Sequence, residues 1–259
     1  MTLSSIKKMK GVRPLVMITA YDALFAKLLE PNCDMMLVGD SLNMSFAGKS
    51  DTLSATMDQM IYHTNAVCMG AKNSFVVCDM PFGTYTNKDD ALRNAMRVFQ
   101  ESPAECVKIE GGEDRAHIVA HLTSNGIAVC GHIGLLPQSV RSEGGYKVKG
   151  KTQEEKLQLI KDAKAIEAAG AFCMVLEGVK ADIAAEISNA VQIPVIGIGA
   201  GADVDGQVLV FSDMLGLFEE FTPKFVKKYM DGANLVKNAL KNYADEVRSK
   251  EFPQEIHTY

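Results

Sequence analysis

Leu37-Val38-Gly39-Asp40-Ser41-Leu42 closes an apolar run, Met35-Met36-Leu37-Val38, with a glycine, a carboxylate and a hydroxyl. The pattern fits a buried strand that delivers Asp40 and Ser41 at its carboxyl end. That is the end at which α/β folds bind ligands. It fits equally a helix N-cap, because Asp and Ser are favoured capping residues. The neighbouring runs bear on the choice.

The same figure recurs along the chain. Apolar runs at 15–20, 34–39, 75–79, 106–110, 127–130, 172–176, 194–199 and 208–211 predict eight strands. Helices are predicted between them, over 21–29, 57–69, 87–100, 113–124 and 181–190, and the stretch 222–243 reads as largely helical. A further helix opens at Thr152, where Thr152-x-x-Glu155 fits a capping box. No internal repeat, low-complexity segment or linker interrupts the alternation. The expectation is therefore an α/β fold, a (β/α)₈ TIM barrel, as a single domain over residues 1–259. A doubly wound sheet is the runner-up, but at this length it would normally carry a nucleotide fingerprint or a second domain.

Composition narrows the function classes. The chain is mildly acidic, with net charge −5, and has no long Lys/Arg block. No nucleic-acid or anionic-membrane partner is expected. Its six cysteines form no C-x-x-C, and four of them, Cys78, Cys106, Cys130 and Cys173, lie in or beside strand-like runs. Small buried thiols in a reduced, cytoplasmic compartment are expected, without a disulfide framework or zinc cluster. No run approaches the roughly 20 apolar residues that cross a bilayer.

Four predicted strands end in acids: Asp40, Asp79, Glu110 and Glu177. A single such acid usually caps a helix. Four on parallel strands converge on one barrel mouth, and Asp40, Asp79 and Glu110 come from neighbouring strands. Crowded carboxylates raise one another's pKa, and a hard divalent cation such as Mg²⁺ resolves the conflict. Lys108 and Glu110, two residues apart on one strand, face the same side. A charged pair facing into a barrel is costly unless it meets a partner or ligand.

Other motifs are declined. Gly197-Ile198-Gly199-Ala200-Gly201 comes too late and lacks the acid-bearing βαβ context of a dinucleotide loop; a tight barrel loop approaching a ligand is expected instead. His117 and His121 have zinc-protease spacing, but Ile118 stands where the essential Glu would be. His132, placed at the end of the fifth run, either touches a substrate or is a hydrogen-bonded structural histidine.

Nearly end to end, the chain resembles the ketopantoate hydroxymethyltransferase family. The motifs are Thr19-Ala20-Tyr21-Asp22, Val38-Gly39-Asp40-Ser41-Leu42, Asp79-Met80-Pro81-Phe82-Gly83 and Val107-Lys108-Ile109-Glu110-Gly111-Gly112. Gly131-His132-Ile133-Gly134-Leu135, Gly144-Gly145-Tyr146-Lys147-Val148, Ile196-Gly197-Ile198-Gly199-Ala200-Gly201 and Asp205-Gly206-Gln207-Val208-Leu209-Val210 follow in order. The chain departs from the family pattern at Asn43, Pro31-Asn32 and Lys180, none of them a proposed catalytic group.

The resemblance implies a (β/α)₈ barrel assembled as a homodecamer of two stacked pentameric rings. It implies transfer of the one-carbon unit of 5,10-methylenetetrahydrofolate to 3-methyl-2-oxobutanoate through a Mg²⁺-stabilised enolate, giving 2-dehydropantoate for pantothenate and coenzyme A synthesis. Asp40 and Asp79 are implied to hold one Mg²⁺ per subunit, with Glu110 a further metal-site residue that can act through water. Asp40, Ser41, Asp79 and Lys108 are implied contacts to the oxo acid, Glu177 the catalytic proton acceptor, and His132 an accessory residue. The runner-up is a Mg²⁺-dependent oxo-acid lyase or mutase of the phosphoenolpyruvate mutase and isocitrate lyase group, which typically uses a loop cysteine not evident here. A non-catalytic scaffold would be marked by loss of a site carboxylate; all are present.

Overall fold

The eight apolar runs pair in parallel, each with the next in sequence, and the last closes on the first. The strands are β1 (Leu15–Thr19), β2 (Met35–Val38), β3 (Phe75–Asp79), β4 (Cys106–Glu110), β5 (Val129–Gly134), β6 (Cys173–Glu177), β7 (Val195–Ile198) and β8 (Gly206–Leu209). This computed structural model describes residues 1–219 and 222–259. Residues 1–210 form one compact unit holding the whole barrel, and residues 211–259 form a second.

β2, β3, β4 and β7 are buried along their whole length, as expected when helices cover a barrel whose interior is filled. The interior layers are apolar: Met17, Met35, Phe75, Val77, Cys106, Cys130, Cys173, Val175, Ile196 and Val208 belong to one buried cluster. Ile6 joins that cluster from α1 (Leu3–Lys7), a short helix capped by Thr2 that the sequence pattern did not announce. The outer helices of this unit are α2 (Ala23–Leu29), α3 (Leu42–Ser45), α4 (Met57–Gly70), α5 (Lys88–Glu101) and α6 (Glu113–Ser124). They continue with α7 (Val140–Glu143), α8 (Gln153–Ala168) and α9 (Ala181–Ala190).

Local chemistry explains most boundaries. Asp22, Thr56, Asn87 and Thr152 accept N–H bonds as N-caps of α2, α4, α5 and α8. The box expected at Thr152 forms by half, because Glu155 takes the N–H of Lys151 instead of that of Thr152. Two strands are shifted by two residues or more from expectation, the others by at most one. β5 begins later and runs through His132 to Gly134, held by pairing of His132 with Glu110 and of Gly134 with Glu177. β8 lies at Gly206–Leu209, not 208–211, because Leu15 to Ile18 pair with those residues.

The second unit holds α10 (Phe211–Met214) and α11 (Gly232–Ser249). The helix expected over 222–243 is displaced. Tyr229 N–H donates to Met214 O and Gly232 N–H to Leu215 O, so the segment before Gly232 is spent on turns. α11 then runs on to Ser249, where Lys250 takes a left-handed φ of 63°. Among the described residues no helix is long and apolar enough to cross a membrane.

Gly70 ends α4 where a Cβ would lie 2.8 Å from Ala26 Cβ and closer still to the Ala23 carbonyl oxygen of α2. Backbone there cannot give way as a flexible side chain would. Gly70→Ala should destabilise the barrel by about 1–3 kcal/mol, measured by urea unfolding with an unchanged m-value. A wild-type midpoint would show that α2 and α4 do not pack this closely.

Candidate active site at the barrel mouth

The interior turns from apolar to charged within one pleat of β3, β4, β5 and β6. Side chains two residues apart share a face, so Val77 leads to Asp79, Cys106 to Lys108 and Glu110, Cys130 to His132, and Val175 to Glu177. Register brings these residues together: Asp79 pairs with Lys108, and Glu110 with His132. Asp40, Asp79, Lys108, Glu110 and His132 are only 3–5 % exposed. Glu177, at 18 % side-chain exposure, is the acid of the group that solvent reaches most easily.

These residues form a contact chain. Lys108 Nζ lies 2.8 Å from Asp79 Oδ1 and 3.1 Å from His132 Nδ1. His132 Nδ1 is 3.5 Å from Glu110 Oε1, and its Nε2 is 3.2 Å from Glu177 Oε2. Asp40 joins through its backbone, whose N–H donates to Asp79 Oδ2 at 3.1 Å. Its own carboxylate accepts from Gln138 Nε2 at 2.9 Å. Ser41 occupies the N-cap position of α3 but makes no side-chain capping bond. Its hydroxyl instead shares a 2.7 Å hydrogen bond with that of Tyr21. The capping alternative for Asp40 and Ser41 is thereby set aside.

Electrostatics follow from burial and from an excess of acid. Burial, together with the charges of Asp79 and Glu110, holds the Asp40 carboxyl well above its ordinary range. Burial also raises Asp79, against the pull of Lys108. Burial disfavours the Lys108 ammonium, but Asp79, Glu110 and Asp40 outweigh it and raise its pKa. For His132, burial and Lys108 act downward, and Glu110 and Glu177 overcome them, so the imidazole is pushed up to about 9. Glu110 is lowered; burial opposes this, but His132, Lys108 and the Gln138 N–H prevail. Four carboxylates thus face two cationic side chains.

The expectation of three unpaired carboxylates around a metal is corrected in part. Asp79 is ion-paired to Lys108, and Glu110 is engaged by His132 and the Gln138 N–H. Among the described residues no three His, Cys, Asp or Glu side chains stand close enough to enclose a metal ion. Mg²⁺ does not need such a cage; it is commonly held by one or two carboxylates, with water and substrate completing its shell. Asp40 and Asp79, hard oxygen donors in a region of surplus negative charge, fit that demand.

His132 lies inside β5 and not at its end. Both of its ring nitrogens face acids, so it is a wired member of the site. Gly201 makes its close approach to Ala181, whose Cβ would sit 2.5 Å from an added Cβ, so the glycine loop closes on the start of α9. His117 and His121 lie on the outer helix α6. Sequence reasoning missed Gln138, Tyr85 and Tyr21. Tyr21 and Gln138 do lie in quoted stretches, or beside them, but nothing local marks their contacts.

The sequence profile described as ketopantoate hydroxymethyltransferase matches residues 1–255. A 3-methyl-2-oxobutanoate hydroxymethyltransferase of Sulfurimonas denitrificans is 79% identical over 259 residues, covering 100% of this chain and 98% of that one. One of the same name from Aliarcobacter butzleri is 65% identical, covering 100% and 96%. Among solved structures, phosphoenolpyruvate phosphomutase from Streptomyces platensis subsp. rosaceus aligns with TM-score 0.67 at 13% identity, covering 100% of this chain and 92% of that one. A phosphonopyruvate hydrolase aligns with TM-score 0.65 at 11% identity, covering 99% and 90%. These two likenesses speak to the barrel alone.

Because its pKa is raised by folding, Asp40 keeps its proton to higher pH in the folded chain than in the unfolded one. Between those two values the folded state binds more protons, so its stability falls as pH rises. Asn at position 40 has no proton to lose and still accepts from Gln138. In chelator at pH 7, Asp40→Asn should therefore have a higher melting temperature than the wild type. The gain should shrink as pH falls into the ordinary carboxylate range. A lower melting temperature at pH 7 would show that Asp40 is not held under repulsion.

Proposed function

Because the chain belongs to the ketopantoate hydroxymethyltransferase family, we propose that its barrel mouth joins the one-carbon unit of 5,10-methylenetetrahydrofolate to 3-methyl-2-oxobutanoate. Water supplies the hydroxyl, and the products are 2-dehydropantoate and tetrahydrofolate, on the route to pantothenate and coenzyme A. One observation carries the reading. In a chain 79% identical to a named hydroxymethyltransferase, acids and bases from four consecutive strands form a single contact chain at the ligand-binding end.

The chemical difficulty is the weakly acidic C3–H of the oxo acid. Glu177 is assigned as the base that takes this proton, since it borders both solvent and His132. His132 Nε2 lies 3.2 Å from that carboxylate as an ion-pair partner, and the imidazole faces Glu110 on its other side. Lys108 presents a fixed positive charge to the oxygens on which negative charge develops, within a buried layer where such a charge acts strongly. Ser41, held by Tyr21, offers a hydroxyl to the oxo-acid carboxylate. Asp40 and Asp79, with Glu110 behind them, are the residues that would hold Mg²⁺, which when bound supplies further positive charge to the substrate's carboxylate and ketone oxygens. The C3–H electron pair then forms the new bond to the folate-derived carbon. The two C–N bonds of that carbon break, and water supplies the hydroxyl. The C3 proton and the remaining water proton end on the two nitrogens of the tetrahydrofolate that leaves, so no covalent enzyme intermediate is needed.

The reading extends to assembly and compartment. Leu24 and Leu28 on α2, and Tyr62 and Met69 on α4, are apolar side chains exposed on adjoining helices, which supports self-association into the homodecamer. Six free thiols support a reduced, cytoplasmic setting.

The test supplies both substrates with Mg²⁺ or with EDTA and follows 2-dehydropantoate. Product should be metal-dependent, and Glu177→Gln should lose exchange of the substrate's C3 proton with solvent while still binding the oxo acid. Full activity after metal removal would sink the Mg²⁺ role, and undiminished exchange would reject Glu177 as base. No product with any divalent metal would return the barrel to the lyase reading. Sedimentation should show ten 28.1 kDa chains per particle; a monomer at micromolar concentration would overturn the decamer.

A further inference from the structure

Gln138 lies outside the ring of acids and bases, yet four groups of the mouth converge on it. It sits in a single 3₁₀ turn, Pro137–Ser139, in the connection from β5 to α8, and is buried. Its side-chain Nε2 donates to Asp40 Oδ2 at 2.9 Å and to the Met80 carbonyl at 3.0 Å. Its Oε1 accepts from the Tyr85 hydroxyl. Its backbone N–H donates to Glu110 Oε2 at 3.0 Å. One residue therefore joins acids following β2 and ending β4, as well as the backbone just past β3.

The chemistry of the amide matters. Both Nε2 protons are committed to acceptors, and the Tyr85 hydroxyl supplies the donor that Oε1 requires, so a flipped amide would set its carbonyl against two oxygens. A buried polar group this fully satisfied has one orientation. An amide also donates to Asp40 without neutralising it, where a lysine or arginine would consume its charge. With Oδ2 engaged, Asp40 serves the site through its other oxygen. A second clasp, Arg141 to Asp51 at 2.8 Å, links the same connection to the loop following α3, but Arg141 is 74 % exposed and the pair is worth little. The inner clasp holds the connection.

We infer that Gln138 is a positioning residue for the transfer reaction: it fixes Asp40 and Glu110 relative to one another and ties the β5–α8 connection to the mouth, with Tyr85 fixing its amide. The kinetic part of this inference rests on the proposed hydroxymethyl transfer; the tie between loop and mouth does not.

The test uses Gln138→Met, close in size but unable to donate, with Tyr85→Phe and the double variant, in the full-length protein. Gln138→Met should lower kcat by about 10–100-fold, the usual effect of a group that orients catalytic ligands, and move KM for the oxo acid less than about threefold. Tyr85→Phe should lose less, and the double variant no more than Gln138→Met, because Tyr85 acts through Gln138. In the resting protein, peptides covering residues 135–150 should exchange amide hydrogens faster in Gln138→Met than in wild type. A wild-type kcat in Gln138→Met, multiplicative losses in the double variant, or unchanged exchange would each overturn the inference. Should Gln138→Met fail to fold, Tyr85→Phe decides alone: reduced kcat at an unchanged melting temperature supports the role, and full kcat refutes it. If wild type makes no product, the transfer reading falls, and the exchange comparison still tests whether Gln138 ties the connection down.

Discussion

Lys108 is buried in a layer it shares with four carboxylates and a histidine, and the apolar layers beneath it leave little water to soften the interaction. A buried ammonium without a partner would be expensive, and so would each acid alone. Together they are tolerable because each cation meets acids, Lys108 on Asp79, and His132 on Glu110 and Glu177. The low local dielectric that makes this arrangement necessary also makes its charges effective against a substrate. Cancellation is incomplete. Asp40 takes up the remainder as a raised pKa: among the described residues no lysine or arginine pairs with it, and it accepts from a neutral amide.

Parallel strands in sequence order are what make that arrangement possible. Every strand of the barrel presents the same end at the same rim, so residues far apart in the chain, such as Asp79 and Lys108 or His132 and Glu177, become lateral neighbours. The pleat then selects which residues face inward, and in β4 that selection places Cys106, Lys108 and Glu110 in one file from core to mouth. Rim residues outside the strands complete the set. Ser41 and Tyr21 meet through their hydroxyls, and Asn43 donates to Asp51 O and Ser54 Oγ and braces the loop following α3.

The barrel was legible because each strand is a short apolar run ended by a polar or small residue, and that signal is local. Asp79, Lys108, Glu110 and Glu177 were legible for the same reason, as polar residues at the ends of such runs with inward parity. His132 was left open because Gly131 and Gly134 look like loop residues; lateral pairing, not composition, carries β5 past them. The α1 helix has one fully buried apolar residue, Ile6, too little to show a period. The tail helix was placed too early because apolar residues before Asp231-Gly232 continue its spacing, while their backbone groups bond back toward α10. Gln138 left no local trace at all. Its four partners are spread from Asp40 to Glu110, and nothing in Pro137-Gln138-Ser139 reports them.

The division between frame and chemistry has a consequence for assigning function. Barrels superimposable at TM-scores of 0.65–0.67 share only 11–13% of residues with this chain, so the frame survives replacement of most side chains. A frame that permissive cannot specify a reaction. The rim layer is much less permissive. Removing Lys108 would strand Asp79, removing His132 would separate Glu177 from Glu110, and removing Gln138 would release Asp40 and Glu110 together. Each loss leaves a buried polar group without its partner, which costs more than the lost contact itself. Such interdependence ties the rim residues to one another, and it is the hydroxymethyltransferase profile matched over residues 1–255, with a 79% identical relative, that carries the functional assignment the barrel alone could not.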